Sequence, residues 1–169
     1  MLFRSTADAG ASISVTWGSV TRTTTASGGT WSVQYASGEV PTDGATTVNV
    51  TESDAAGNTL TASKSVQVDT VLPSIPVVNT VAGNNVVNAS EKSAGVTISG
   101  TAEANSAISV QWGSTTLTGT VGSDGAWSKT FTSAQVPANG TATLIVTSTD
   151  AAGNSASASQ SIVVDTSAP

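Results

Sequence analysis

The chain has 169 residues, of which 9% are charged and 4% aromatic, and its formal net charge is −6. It contains no cysteine and no histidine, which excludes disulfides, thiolate chemistry, cysteine-type zinc sites and histidine-based catalytic triads. Five basic residues form no patch for nucleic acid or anionic lipid, and no apolar run approaches the roughly 18 residues of a membrane span.

The first residues, Met-Leu-Phe-Arg-Ser, differ from the remainder of the chain and contain no apolar core of a signal peptide. Their back-translation resembles the end of a common sequencing adapter. We therefore expect Met1–Arg4, with Ser5 at the junction, to be an assembly artefact, and we expect the gene to extend upstream.

The remainder of the chain consists of two related copies. The pentapeptide Asp54–Asn58 recurs as Asp150–Asn154, and the longer stretch Ile13–Ser19 matches Ile108–Ser114. A repeat of about 95 residues indicates a string of domains rather than a solenoid of short units.

Within each copy, apolar and polar residues alternate with period two, which is typical of half-buried strands. Ile145 of the second copy corresponds to Asn49 of the first, which predicts Leu144 and Val146 inside and Ile145 outside. Turn residues separate the predicted strands, which lie near 77–81, 96–102, 107–112, 115–120, 126–131, 141–149 and 156–164.

Seven short strands with a tryptophan on the third predict an immunoglobulin-like sandwich without its disulfide. The fold class is therefore all-β, with tandem immunoglobulin-like β-sandwiches of which the first is truncated at its N-terminus. We expect a truncated copy over 1–72, a complete copy over 73–169, and a stiff linker from Asp69 to Pro76. The four tryptophans share the parity of the aliphatic positions, which predicts that they pack in the cores.

The first copy has no counterpart of Ser74–Ser99. We therefore expect its core to be open on one side and this half of the chain to be unstable alone, because strand loss exposes a sheet edge and apolar surface.

Four stretches of the second copy carry a family resemblance: Asn88–Lys92, Val96–Glu103, Asp150–Asn154 and Val164–Pro169. On these residues the unit resembles the bacterial Ig-like repeats of large Gram-negative surface adhesins, of the biofilm-associated and repeats-in-toxin types. The resemblance covers nearly the whole chain beyond Met1–Arg4. It implies a secreted, cell-surface stalk of many such domains, with neighbouring repeats as partners and calcium often stiffening the junctions.

Strand order brings acidic residues to one end of the second copy. If the linker enters at the top, the loops carrying Glu103, Asp124 and Asp150 all turn at the top, directly below Asp69. Carboxylates brought together would repel one another without a cation, and Ca²⁺ takes about six to eight oxygen ligands. We predict a calcium site at Asp69, Glu103 and Asp150, with Asp124 as an additional candidate.

Asp8 and Asp54 are the equivalent pair of the first copy. Their linker aspartate would lie upstream of this chain, so we expect that site to be incomplete.

These acids also have a purely structural interpretation. An aspartate in a tight turn commonly caps its own backbone, and Gly-Asn supplies a positive φ angle. Considered alone, Asp150 and Asp124 are better explained by this turn role. Only the expected proximity of Asp69 and Glu103 favours a metal site. Glu91 and Lys92 are interpreted as a solvated pair in a loop.

The predicted function is that of a structural spacer in a secreted adhesin, which supports cell adhesion and biofilm formation through extension and calcium-dependent rigidity. Other domains would contact the host or abiotic surface. One alternative is a module that grips a glycan or host protein, but no exposed aromatic cluster is predicted. Another is an accessory module of a polysaccharide-degrading enzyme, which would require a catalytic domain elsewhere. No acid pair is combined with a substrate cleft, so we predict no enzymatic activity.

Overall fold

The computed structural model describes residues 1–168. Backbone contacts divide them into two compact units, unit 1 from Met1 to Thr70 and unit 2 from Val71 onward. Both units are built almost entirely of strands, so the fold class predicted from the sequence is confirmed.

Unit 1 contains six strands. They are β1 (Leu2–Thr6), β2 (Ser12–Trp17), β3 (Val20–Thr25), β4 (Thr30–Gln34), β5 (Gly44–Ser53) and β6 (Thr59–Val68). One sheet has the order β1-β4 and the other has the order β3-β2-β5-β6, and every pairing is antiparallel.

In the described residues, unit 2 contains eight strands, one short α-helix and a 3-10 helix at Val81–Gly83. They are β7 (Val77–Val78), β8 (Val86–Val87), α1 (Ala89–Ala94), β9 (Val96–Thr101), β10 (Ala107–Trp112), β11 (Thr115–Thr120), β12 (Ala126–Phe131), β13 (Gly140–Thr149) and β14 (Ser155–Val164). The two sheets have the orders β12-β9-β7 and β11-β10-β13-β14-β8. The pairing of β8 with β14 is parallel.

Each core contains an almost fully buried tryptophan at the end of a strand, Trp17 of β2 in unit 1 and Trp112 of β10 in unit 2. Trp17 and Trp112 are 1% and 0% exposed, and each meets an aromatic ring edge-on at a centroid distance of 5.5 Å, Tyr35 in unit 1 and Phe131 in unit 2. All four tryptophans are buried, which confirms that they are core residues.

The parity predicted for β13 is also confirmed. Leu144 and Val146 are fully buried, whereas Ile145 is 38% exposed.

The N-terminus of unit 1 differs from the expectation. Leu2–Thr6 form strand β1, which pairs along the whole of β4, and Phe3 packs edge-on against Trp17 at 5.1 Å. The prediction that everything equivalent to Ser74–Ser99 is missing was therefore wrong for the second strand. Phe3 packs against the core from this strand, and the described part of unit 1 contains no counterpart of β7, β8 or α1.

Helix α1 was not predicted, and the interpretation of Glu91 and Lys92 as a solvated pair was wrong. Asn88 Oδ1 accepts from the Glu91 amide at 2.9 Å, and Glu91 Oε2 accepts from the Asn88 amide at 3.0 Å, which is a capping box. Lys92 Nζ donates to the carbonyl of Pro137 at 2.8 Å. Both side chains therefore hold local structure in place.

Candidate functional site

Strand register brings three loops to one end of unit 2. Thr101 lies opposite Ala126, while Ala107 lies opposite both Thr120 and Thr149. The loops 102–106, 121–125 and 150–154 therefore share one end, which we call the loop end. Glu103, Asp124 and Asp150 lie on these three loops, one on each.

The chain also enters unit 2 at its loop end, because Val77 of β7 lies opposite Thr101. It leaves at the opposite end, where Val164 of β14 lies opposite Gly140. The linker residues that lead into β7 therefore arrive beside the acidic loops.

Asp150 caps the turn that it begins. Its Oδ1 accepts from the amides of Ala152, Gly153 and Asn154 at 2.8, 2.7 and 2.9 Å, and its Oδ2 accepts from the side-chain amide of Asn154 at 2.8 Å. These donors, the Asn154 side chain first, hold the pKa of the Asp150 carboxyl below its usual range. Asp150 is therefore anionic, and its Oδ1 is committed to the turn.

Asp54 does the same in unit 1. Its Oδ1 accepts from the amides of Ala56 and Asn58 at 2.9 and 2.8 Å, and its Oδ2 accepts from the Asn58 side chain at 2.7 Å. The side chain of Asn58 is the main cause of the lowered pKa of Asp54. The repeated pentapeptide is thus a self-capped hairpin turn in both copies.

Glu103 differs from Asp150 in that its side chain is exposed and its carboxylate accepts no hydrogen bond from the described residues. Its backbone carbonyl accepts from the amide and hydroxyl of Ser106 at 3.2 and 2.7 Å. The Ser106 hydroxyl also lies 2.7 Å from that of Ser148, with both serines buried. The loop is therefore anchored to β13 while the Glu103 carboxylate is available.

Asp124 has a turn role. Its Oδ1 accepts from the Ala126 amide at 3.0 Å and lies 2.5 Å from where a Cβ on Gly122 would stand. The turn therefore closes tightly over a glycine.

Glu52 is an acid at the corresponding end of unit 1 that the sequence analysis missed. Its Oε1 accepts from the backbone amide of Asp8 at 2.7 Å, so Asp8, Glu52 and Asp54 share this end of the unit. Glu52 occupies the position of Ser148 in the other copy. An acid at an inward-facing strand position was the signal that could have identified it.

Asp69 follows β6 at the other end of unit 1, where a clamp fixes the outgoing chain. Thr70 donates from its amide and its hydroxyl to Asp43 Oδ1, at 3.0 and 2.8 Å. Thr166 makes the same pair of hydrogen bonds to Asn139 Oδ1 in unit 2, at 3.3 and 2.7 Å. The repeated Val-Asp-Thr sequence thus orients the exit of each unit.

Among residues 1–168, no three acidic side chains form a group that could hold a metal ion. The donor chemistry at the loop end of unit 2 nevertheless suits a hard cation, since it offers the Glu103 carboxylate, the Asp150 Oδ2 and loop carbonyls. No helix within the described residues is long and apolar enough to cross a membrane.

A family model described as a bacterial Ig domain matches residues 78–165. No curated protein matches the chain. Among solved structures, a Ca²⁺-stabilized adhesin with which an Antarctic bacterium binds ice is 31% identical, with a TM-score of 0.51, and the match covers 99% of this chain and 44% of that one.

A 1.5-MDa bacterial ice-binding adhesin is 27% identical over 94% of this chain and 54% of its own, with a TM-score of 0.47. The chain thus spans about half the length of the solved adhesin chains it matches. The fibronectin(III)-like modules of Clostridium thermocellum CbhA share 10% identity over 98% of this chain and 85% of theirs, with a TM-score of 0.60, a likeness of fold alone.

Proposed function

The chain belongs to the bacterial Ig domain family, and from this we propose that it is a structural spacer of a large secreted bacterial adhesin. Its repeats extend a stalk at the cell surface, in support of adhesion and biofilm formation. They act by length and stiffness rather than by chemistry, and their partners are the neighbouring repeats of the same chain.

The observation that carries this proposal is the path of the chain through unit 2. The chain enters at the loop end and leaves at the opposite end, a path that suits a repeat whose function is to add length. The ten residues of β13 alone span about 33 Å at the usual rise per residue. The Thr166–Asn139 clamp fixes the direction in which the chain leaves.

The finer part of the proposal is a calcium ion where the linker enters unit 2. Asp69, Glu103 and Asp150 are the proposed carboxylate ligands and Asp124 is a further candidate, while Asp8 and Asp54 are the corresponding acids of unit 1. Glu103 would contribute its unengaged carboxylate and Asp150 its Oδ2, since Oδ1 holds the turn. The ion would restrict hinge motion by tying the linker to the loops.

A spacer is favoured over a glycan-binding module because all four tryptophan side chains are buried. Sugar-binding platforms need aromatic faces exposed to solvent, and the described residues present none of these indoles at the surface.

Thermal unfolding with calcium and with EDTA tests the calcium part of the proposal. Calcium at about 100 times its dissociation constant should stabilise the folded chain by about 2.7 kcal/mol, which raises Tm by several degrees. Glu103→Gln should remove most of this rise. Asp150→Asn should weaken it as well, while leaving an Oδ1 acceptor for the turn.

Asp43→Asn is the matched control, because the equivalent position in unit 2 is Asn139 and the exit clamp survives the change. Its calcium response should equal that of the native chain. Equal melting temperatures with calcium and with EDTA would refute the calcium site and leave the spacer proposal standing.

A further inference from the structure

The two sheets of unit 2 end side by side in strands β11 and β12. Each is the last strand of its sheet among the described residues, so one side of its backbone has no partner strand. The two strands are consecutive in the chain, and we call the space between them the lateral opening. A strand of another molecule could extend either sheet at this opening.

One lysine spans the lateral opening of unit 2. Lys129 of β12 lies opposite Ile98, which is fully buried, and therefore lies on the inner face of its sheet. Its ammonium lies over Gly119 of β11, where a Cβ would collide with Nζ. Lys129 is half-buried and forms no hydrogen bond or ion pair with the described residues. A charge therefore stands between two core residues of the same strand face, Trp127 and Phe131.

The lateral opening of unit 1, between β3 and β4, has its cation on the other strand. Arg22 of β3 stands at the place of Leu117 and lies opposite Val15, which is fully buried. Val33 of β4 stands at the place of Lys129 and is 7% exposed. Each copy thus has one cation on the inner face at this opening, although the two copies place it on opposite strands.

A third position differs between the copies together with these two. The Arg22 guanidinium forms an ion pair with Glu39, in the segment after β4, and Gln135 stands at the place of Glu39. Both residues cap a turn, since Glu39 Oε2 accepts from the Ala36 amide at 2.8 Å and Gln135 Oε1 from the Thr132 amide at 2.9 Å. The cap therefore requires no charge, and the acid occurs in the copy whose opening holds the arginine.

A cation at this position raises the cost of adding a strand. The inner side chains of a strand paired with β12 would lie beside Lys129 and remove water from its ammonium. Burying a charge without a partner costs far more than burying a neutral group. Strands β11 and β12 contain no acidic residue, so a second copy of either would bring no carboxylate to neutralise the lysine.

We propose that Lys129 prevents the lateral opening of unit 2 from pairing with the same strands of another copy of the chain. Arg22, held by Glu39, has this role at the lateral opening of unit 1. An inward-pointing charge is one of the means by which sheet edges avoid edge-to-edge pairing, and here a single cation protects two edges. Repeats with identical edges thereby remain separate when they lie close together, and this protection requires no calcium.

Lys129→Met tests the role of the charge, because it keeps a long side chain over Gly119 and removes the ammonium. It also makes the net charge one unit more negative than −6, a change that alone would weaken self-association. Sedimentation velocity of the full chain in EDTA should show dimers or larger species of the variant at about 0.1–1 mM. The native chain should need at least about tenfold higher concentration. Hydrogen exchange should show new protection in β11 or β12.

Two controls separate the charge from the loss of the lysine side chain. Lys129→Glu keeps a charge at the opening and should sediment as the native chain does. Ser128→Val adds an apolar side chain to the exposed, outward face of β12 and should also leave the sedimentation unchanged. Circular dichroism shows that each variant is folded before its association is measured.

The residues of unit 1 should restore the protection in unit 2. Lys129→Val leaves the lateral opening without a cation and should associate. Lys129→Val combined with Leu117→Arg and Gln135→Glu recreates the arrangement of Arg22, Val33 and Glu39 and should be monomeric. Association of this triple variant equal to that of Lys129→Val would refute the role given to Arg22.

Sedimentation of Lys129→Met like that of the native chain at about 1 mM would overturn the proposal. Association of Lys129→Glu equal to that of Lys129→Met would do the same, and so would association that protects strands other than β11 and β12. A native chain that already pairs through β11 or β12 would show that the ammonium does not prevent strand addition.

Discussion

At the scale of single residues, two glycines explain why the short sequences Trp-Gly-Ser and Val-Pro occur together in both copies. Gly18 and Gly113 begin the β2–β3 and β10–β11 hairpin turns with φ angles of +60° and +59°. A Cβ on either would stand 3.1 Å from the Cγ of Pro41 or Pro137. A side chain at either position would therefore have to displace the proline ring by a few tenths of an ångström, so the close packing of hairpin and proline loop favours glycine.

Gly113→Ala should destabilise unit 2 by about 1–3 kcal/mol, because strain at a positive φ angle is added to the contact with Pro137. Gly153→Ala is the control, since Gly153 has a φ angle of +96° and no atom within 4 Å of the added Cβ. Urea unfolding of both variants measures the difference. Equal losses of stability would show that the proline contact contributes nothing.

Asp150 makes the stability of unit 2 depend on pH. Its pKa in the folded chain is lowered, below about 3.9 in the unfolded chain, so its contribution is complete above that value and is lost as pH falls through the folded pKa. Asp150→Asn keeps an acceptor but cannot titrate. Its stability should therefore fall less on acidification than that of the native chain.

Unfolding midpoints between about pH 7 and pH 2 measure this difference. Asp54→Asn makes the same change in the turn of unit 1, where the carboxyl pKa is also lowered, so it should reduce the acid loss of stability of unit 1 and leave that of unit 2 unchanged. A difference between native chain and Asp150→Asn that is constant with pH would contradict the assignment.

At the scale of elements, alternation predicted the long strands well and the short ones poorly. The buried side chains of β10, β12 and β13 all lie on one face of each strand, so their period is visible in the sequence. β7 has two residues and lies within the strand predicted near 77–81, whereas β8, also of two residues, is too short to show a period and was not predicted. Helix α1 buries no residue, so the capping pair Asn88 and Glu91 was its only signal.

The shared end of the three acidic loops of unit 2 was predictable from the sequence, whereas the hydrogen bonds of their carboxylates were not. Counting strands is enough to place the loops of Glu103, Asp124 and Asp150 at one end, because antiparallel neighbours alternate in direction. It cannot show that Asp150 Oδ1 is occupied by three amides. It also missed Glu52, whose carboxylate holds the Asp8 amide through a contact between distant segments.

The edge position of β6 in its sheet predicts unequal protection of two equivalent strands. β6 is an edge strand, whereas β14 lies between β13 and β8. If local stability differs by about 1–2 kcal/mol, β6 amides should exchange roughly 5- to 30-fold faster than those of β14. Hydrogen exchange of the full chain, followed by NMR, makes the comparison, with β2 and β10 as matched interior strands.

Protection of β6 equal to that of β14 would contradict this prediction. It would mean that the edge position of β6 and the exposure of Leu60 do not lower the local stability of unit 1.

At the scale of the whole molecule, the composition agrees with a spacer. Charge is sparse, the net charge of −6 opposes self-association, and the large aromatic side chains are used in two cores. Unit 2 passes the chain from one end to the other and clamps its exit through Asn139. A stiff stalk differs from a chain of flexibly linked domains in the mobility of the junction between units, which the proposed calcium ion would restrict.

The width of the distribution of distances between the two units measures that stiffness directly. The native chain has no cysteine, so Ser65→Cys and Ser161→Cys, which are equivalent and exposed positions, accept one spin label in each unit. Pulsed electron paramagnetic resonance should give a narrow distance distribution with calcium and a broad one with EDTA. Glu103→Gln should give a broad distribution in both. The same distribution with calcium and with EDTA would contradict a stalk stiffened by calcium.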